Sequence, residues 1–388
     1  MKNVNVAVIG IGNIGSAHAN CIYGGEIKGL TLKAVCDVNE EKLKNFCDKY
    51  SGVKTYTDYK VLIASKTVDA VIVSVPHPLH SKIAKFALNS GLHVLVEKPI
   101  DIKVSAAKEL IKAAKKSDRV FAIMFNQRTN PLFIMAKEIM ERGDLGQLKR
   151  TVWTVTNWYR TQYYYDSGDW RATWSGEGGG VLLNQCPHQL DLWQWICGMP
   201  VKVRSFLHYG KWHNIEVEDD VTTYVEYANG ATGVFITTTG DAHGTNRFEI
   251  QMDRAKFVIE NDKLIMTEYE MTEQEFSKTN TSPFATVKSK TFEVETDGEN
   301  PQHPGVLNAW ANAILHGGKL IAEGEEGING LTISNAMHLS AFLGKEVEIP
   351  FDEELYYNEL MKRVATSKRK VGVKSVFADT SDSYGGNK

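Results

Sequence analysis

Three short segments of this sequence carry residue types and spacings able to do chemistry. In Val94-Leu95-Val96-Glu97-Lys98-Pro99 an apolar run ends on two charges and a proline. A lysine delivered at the end of a buried strand stands in a crevice rather than in bulk water, where an ammonium can stabilise a developing alkoxide. In the second segment, His188 follows Gly178-Gly179-Gly180 and precedes Asp191. An imidazole, with an ordinary pKa of about 6.5, is matched to proton exchange near neutral pH. The third is Gly10-Ile11-Gly12-Asn13-Ile14-Gly15, directly after an apolar run. The competing readings are structural: Lys98 as a surface partner of Glu97, and His188 as a helix cap or an i,i+3 partner of Asp191.

The third segment has the spacing G-x-G-x-x-G, and it lies between a strand-like run and a helix-like one. In that context the pattern cradles a dinucleotide. Gly10 permits the tight turn, Gly12 lets the backbone approach a pyrophosphate, and Gly15 allows close helix–strand packing. Asn13 and Ile14 then open a helix whose free N–H groups and partial positive charge face the phosphates. Asp37 lies at the end of the next strand-like run, where a carboxylate accepts hydrogen bonds from ribose hydroxyls and repels a 2′-phosphate. NAD is therefore expected in preference to NADP. A strand-end turn, or a cap for the helix starting near Glu40, is the competing reading of Asp37.

The elements that must position these groups follow from periodicity. Segments 4–9, 32–36, 70–75, 93–96 and 120–125 read as buried strands, separated by amphipathic stretches at 40–50, 81–89 and 105–116. That alternation predicts βαβ units and a parallel sheet. Beyond it, 131–142 reads as a helix ended at Gly143, 149–159 as a strand, and 187–196 as a helix. From 201 to about 294 the chain alternates as antiparallel strands do, at 221–227, 231–239 and 248–252, with Asn229-Gly230 as a hairpin turn. Two helical stretches, 305–316 and 327–343, follow, and the small polar residues 379–388 are expected to fray. The expected division is 1–126, a dinucleotide-binding domain, and 127–388, a substrate and oligomerisation domain.

With 44 Lys+Arg against 47 Asp+Glu, the formal charge is -3, which implies neither a polybasic nucleic-acid surface nor an acidic tail. No apolar run approaches the roughly 20 residues a membrane-spanning helix needs. Nor does the opening stretch have the apolar core and cleavage site of a signal peptide. Cys21, Cys36, Cys47, Cys186 and Cys197 are odd in number and lack CxxC spacing, so reduced thiols in a cytoplasmic protein are expected. His77 and His80, three apart, have no obvious third ligand, and no metal is expected there.

Taken in order, Gly10 to Gly15, Ser74-Val75-Pro76-His77-Pro78-Leu79-His80, Glu97-Lys98-Pro99, and Gly178-Gly179-Gly180 through His188 to Asp191 resemble the Gfo/Idh/MocA oxidoreductases. This is the glucose–fructose oxidoreductase and inositol dehydrogenase family, and the resemblance runs from about Asn3 to about Pro350. It implies a fold class of α/β Rossmann N-terminal domain plus an α+β C-terminal domain with a large open, mainly antiparallel sheet. It also implies hydride exchange between nicotinamide and a secondary hydroxyl of a sugar, polyol or sugar derivative, with Lys98 and His188 catalytic. In this family an aspartate usually stands where this chain has Asn184, and Gly commonly where it has Cys186. An amide orients a hydroxyl but accepts no proton.

The resemblance and the strand-end positions together place Pro76, His77, His80 and Glu97 at the cofactor. Tyr163, Tyr164, Tyr165, Trp170, Arg171 and Trp174 form an aromatic group before the glycine run; such faces stack on sugar C–H surfaces, and they also build cores and subunit contacts. Asn126 and Arg128, after the last strand of the first half, are further candidates for the crevice. The resemblance further implies a homodimer or homotetramer through the broad sheet. Two rival activities stay open: an NAD-retaining enzyme that cleaves glycosides by transient oxidation and elimination, and a non-enzymatic sensor of NAD redox state.

Overall fold

The computed structural model describes residues 3–368, together with Lys370 and Val373. The tail at 379–388, expected to fray, lies outside the described residues. Six strands form the first sheet: β1 (Val4–Ile9), β2 (Leu30–Cys36), β3 (Lys54–Tyr56), β4 (Ala70–Val73), β5 (His93–Val96) and β6 (Phe121–Ile123). All pairings are parallel, in the order β3-β2-β1-β4-β5-β6. Helices α1 (Asn13–Tyr23), α2 (Glu40–Cys47), α3 (Tyr59–Ala64), α4 (His80–Asn89) and α5 (Val104–Ala114) link these strands. A parallel sheet covered on both faces wants apolar side chains on both, and β4 is buried at every position. The strand order reverses between β1 and β4, which opens a crevice at their carboxyl ends.

Beyond α6 (Pro131–Arg142), which Gly143 ends at φ 72°, the second body begins. Its strands are β7 (Leu148–Val155), β8 (Lys202–Tyr209), β9 (Glu218–Glu226), β10 (Thr232–Thr238), β11 (Asn246–Met252), β12 (Ala255–Glu260), β13 (Lys263–Tyr269), β14 (Ser289–Glu293) and β15 (Val347–Glu348). They form one sheet in the order β14-β13-β12-β11-β7-β10-β9-β8-β15. Only the β7–β10 pairing is parallel, so the expected mainly antiparallel sheet is present. Gly230 at φ 84° makes the expected turn between β9 and β10.

The remaining helices are α7 (Gln162–Tyr165), α8 (Pro187–Cys197), α9 (Glu273–Thr279), α10 (Gln302–His316), α11 (Gly327–Leu343) and α12 (Glu353–Val364). Helix α8 docks on the second sheet through aromatic rings. Trp193 stacks on Phe235 with centroids 5.4 Å apart, and Trp153 stacks on Phe248 at 4.2 Å. All four side chains are fully buried, so the start of α8 is fixed to a rigid surface.

The first sheet ends at Ile123 and the second begins at Leu148, whereas the cores cross between the two bodies. Trp310 and Leu307 of α10 are buried among Val4, Val6, Val8 and Leu95 of the first sheet. Ala122 of β6 also bridges to Glu323. The strand expected at 70–75 stops at Val73, because Pro76 lacks an N–H to extend the ladder and the chain turns toward His80. Helices α3 and α12 and strand β3 were not anticipated; each is short or has a mixed polar pattern.

Candidate active site

The glycine loop fits a dinucleotide. A methyl built on Gly15 would overlap the Gly10 carbonyl, and one on Gly10, at φ 91°, would overlap the Ser74 carbonyl. A methyl on Gly12 would meet nothing within 4 Å, so the backbone there faces open space. Helix α1 starts at Asn13 with no side-chain cap, which leaves its first N–H groups to an anion. Asp37 closes the loop from β2: Oδ2 accepts the Ile11 amide at 3.0 Å and Oδ1 the Asn39 amide at 3.0 Å. The carboxylate is thus held at the end of β2 beside the glycine turn, a position suited to a ribose.

Glu97 and Lys98 leave β5 toward the same crevice. His18 of α1 donates through Nε2 to Glu97 Oε1 at 2.7 Å, and the Lys98 amide donates to Glu97 Oε2 at 3.1 Å. Burial alone would raise the Glu97 carboxyl, but the hydrogen bond and charge of His18 outweigh it and bring its pKa down to about 2. The His303 ring of α10 stands 5.6 Å from that of His18. Burial pushes the His303 imidazole down to about 4. Glu97 therefore ties α1 to the strand end that presents Lys98. Both ring nitrogens of His80 face carbonyl oxygens at 2.6 Å, those of Pro99 and Val75, so His80 fastens one strand-end loop to the next.

From the second body, the glycine run is folded against β9. Gly178 takes φ 80°, and a methyl on Gly180 would overlap the Glu218 carbonyl oxygen. The Glu218 carboxylate accepts the Gly180 amide at 2.9 Å and the Leu182 amide at 3.1 Å, and lies 3.1 Å from His338 Nε2 of α11. This pinned turn sends the chain through Asn184 into α8. The Lys98 Nζ donates to the Asn184 carbonyl at 3.0 Å, joining the two bodies at the crevice. Pro187 takes the first helical position and His188 follows, 2% exposed, its ring edge-on to Phe125 at 6.2 Å. Burial, then the Lys98 charge, hold the His188 imidazole well below its usual value. Burial likewise lowers the Lys98 ammonium, opposed by Glu97 and Glu177.

Glu177 is the residue that sequence reasoning missed. It is 2% exposed; Oε2 accepts the Ala172 amide at 2.6 Å, and Oε1 accepts the Asn184 side-chain amide. Burial pushes its carboxyl up to about 7. The available signal was a lone acidic residue inside a glycine-rich, otherwise uncharged run.

The aromatic group divides. Arg171 donates to the Tyr164 hydroxyl at 3.0 Å and lies over the Trp170 ring at 4.6 Å; Trp170 in turn packs edge-on against His77 at 5.9 Å. Tyr164 reaches Asn184 Oδ1 at 3.5 Å. Trp170, Arg171 and Tyr164 thus join the crevice. Tyr163, at 67% exposure, faces solvent instead, because neighbouring residues on the single turn of α7 point apart. Trp174 is core, packed against Tyr209 and Phe342. The Asn126 amide donates to Gln302 of α10, so Asn126 anchors that helix. Arg128 grips Asp191, which makes that aspartate structural.

A glycine cradle at the switch point of a parallel sheet, with a lysine at a neighbouring strand end and a histidine from a second body, defines a dinucleotide-dependent oxidoreductase. Known proteins agree. The model of the oxidoreductase family GFO/IDH/MocA, NAD-binding Rossmann fold, matches residues 4–125, and that of the GFO/IDH/MocA C-terminal domain matches residues 133–258. Together they span more than half of the chain, and the chain belongs to this family.

Among relatives, a levoglucosan dehydrogenase of Pseudarthrobacter phenanthrenivorans is 26% identical over 283 residues, covering 64% of this chain and 70% of that one. A myo-inositol 2-dehydrogenase of Thermotoga maritima is 26% identical over 266 residues, covering 66% and 75%. The WlbA dehydrogenase of Chromobacterium violaceum, solved with NADH and UDP-GlcNAcA, superposes with a TM-score of 0.78 at 24% identity, covering 91% and 97%. A levoglucosan dehydrogenase solved with NADH and L-sorbose gives 0.75 at 21% identity, covering 91% and 100%. The shared fold and the family's NAD-binding Rossmann domain fit the cradle described above.

Proposed function

We propose that this chain exchanges hydride between NAD and a secondary hydroxyl of a cyclic polyol, sugar or sugar derivative, with Lys98 and His188 handling the proton. One observation carries the reading: Lys98 from the first body and His188 from the second share one crevice, close enough for the Lys98 charge to act on His188. NAD, when bound, supplies the hydride acceptor. Gly10, Gly12, Asn13 and Ile14 hold its pyrophosphate, Asp37 its ribose, and the Pro76–His77 loop lies alongside. His188, kept neutral near pH 7 by its burial, accepts the hydroxyl proton. Lys98 as an ammonium stabilises the alkoxide oxygen and donates to a carbonyl in the reverse direction. The aromatic faces of Trp170 and Tyr164, with Arg171, suit the C–H faces and hydroxyls of a ring sugar. The names of the levoglucosan and inositol relatives point to the same substrate class.

The same reading places a homodimer or homotetramer contact on the second sheet, where Phe206 and Tyr224 are exposed at 54% and 39%. The test of function is a panel of polyols and sugars, free and glycosidic, followed by NADH absorbance with NAD and with NADP. At least one cyclic polyol or sugar should give NADH, and less reduced cofactor with NADP. Glycoside cleavage without net NADH would transfer the chain to the NAD-retaining class instead.

A further inference from the structure

We propose that Glu177 is a positioning residue of this site: its carboxylate fixes the Asn184 side chain and tunes the charge of Lys98. The proposal rests on the dehydrogenase reading only for its kinetic arm. Three observations carry it. The carboxylate is almost completely buried, yet no cationic side chain among the described residues is bonded to it; its bonds go to the Ala172 amide and the Asn184 side chain. Asn184 is also the residue whose carbonyl receives the Lys98 Nζ at 3.0 Å. Both ends of Asn184 are therefore held, one by Glu177 and the other by Lys98. A carboxylate kept inside protein for packing alone would be better replaced by an apolar side chain, since desolvation penalises its charge.

The groups facing Glu177 come from several elements. Arg171 favours its ionised form, whereas Glu218 opposes it. The Tyr165 hydroxyl feels its charge. The Glu177 backbone carbonyl favours the charged form of His77, which comes from the first body. Lys98 is in turn influenced by Glu97, Glu177, Cys186 and Arg160. Of these carboxyls, Glu97 is ionised at every working pH, because His18 holds it low. Glu177, pushed up by its burial, changes charge near neutrality. When it ionises, the ammonium form of Lys98 is favoured; when it takes up a proton, Lys98 loses that support and the Asn184 side chain loses a charged acceptor.

The first arm needs no substrate. Infrared difference spectra of the full chain, titrated from about pH 5 to about pH 9, follow the carboxyl C=O stretch of buried acids. In the wild type one such band should vanish with a midpoint of about 7. It should be absent from Glu177→Gln. In Lys98→Met, where a neighbouring positive charge is gone, its midpoint should rise by about one unit. Asn184→Ala, which keeps the carboxyl and deletes its amide donor, should raise the midpoint too, and this variant serves if Glu177→Gln does not fold. In the kinetic arm, with a substrate from the polyol panel, Glu177→Gln should lower kcat about tenfold and move the alkaline limit of kcat/KM to lower pH. NADH affinity should stay within about twofold, and Glu177→Asp should restore the alkaline limit.

A missing band, an identical midpoint in wild type and Lys98→Met, or an unaltered pH profile in Glu177→Gln would overturn the proposal. A panel without any turnover, alongside the expected infrared shifts, would sink the dehydrogenase reading and leave the Glu177–Lys98 coupling standing.

Discussion

Arg128 and Asp191 face each other as a bidentate pair, Nε to Oδ2 at 2.8 Å and the terminal nitrogen to Oδ1 at 2.7 Å. Both side chains are almost wholly buried. Arg128 lies in the short turn after the last strand of the first sheet, and Asp191 lies one helical turn beyond His188 on α8. A third bond from Arg128 reaches Glu326, just ahead of α11. One guanidinium therefore sets the His188 helix against the body that carries Lys98. The planar fork matches a carboxylate at two points, which a lysine does not.

Removing the guanidinium leaves a buried carboxylate unpaired. Arg128→Met should destabilise the fold by about 3–5 kcal/mol, as measured by denaturant unfolding. Arg128→Lys should recover only part of that loss, since it makes one contact in place of two. Stability within about 0.5 kcal/mol of wild type in Arg128→Met would show that the domain contact does not depend on this pair.

Lys98→Met and His188→Ala each delete a proton-handling group while leaving the glycine cradle in place. Turnover should fall at least about 100-fold in both, with NADH binding retained in a fluorescence titration. Full activity in either variant would remove that residue from the mechanism.

Two glycines of the cradle should fail differently. Gly15→Ala forces a methyl into the Gly10 carbonyl, so both stability and NADH binding should drop together. Gly12→Ala places its methyl in open space, so thermal stability should stay within about 0.5 kcal/mol. NADH affinity should nevertheless weaken at least about tenfold, because the methyl occupies the approach of the pyrophosphate. Calorimetry and fluorescence titration separate the two outcomes.

Glu177 links the site to stability. Its folded pKa, about 7, lies above the ordinary carboxyl value near 4.3. Such a group contributes stability that is complete below the unfolded pKa and is lost as pH rises through the folded one. Between about pH 4 and about pH 8 the wild type should lose roughly 3–4 kcal/mol from this source, whereas Glu177→Gln should not. The stability of the wild type should therefore fall relative to that of Glu177→Gln as the pH is raised. Parallel curves across that range would mean that Glu177 ionises as freely as an exposed acid.

The first sheet was legible because its signals are local. Apolar runs such as Val4–Ile9 and His93–Val96 read as strands wherever they pack, and the glycine spacing specifies its turn through backbone sterics alone. The second body was less legible in detail. Trp170 and Tyr163 look alike in sequence, yet Trp170 turns to the crevice while Tyr163, on the single turn of α7, faces solvent. Asn126 also anchors α10, a helix that returns from about 175 residues away, a contact its sequence neighbours do not show.

Sequence alone determined the cradle, the strand end that delivers Lys98, the helix that carries His188 and the family to which they belong, because each depends on neighbours within a few positions. Only the tertiary structure decided which charges meet. His18 meets Glu97 across the first body, Arg128 meets Asp191 of α8, and the docking of the two bodies brings Lys98 to Asn184, which Glu177 holds from the other side. Their protonation depends on burial and on the charge of whatever faces them across that contact, and neither is written into any local stretch of sequence.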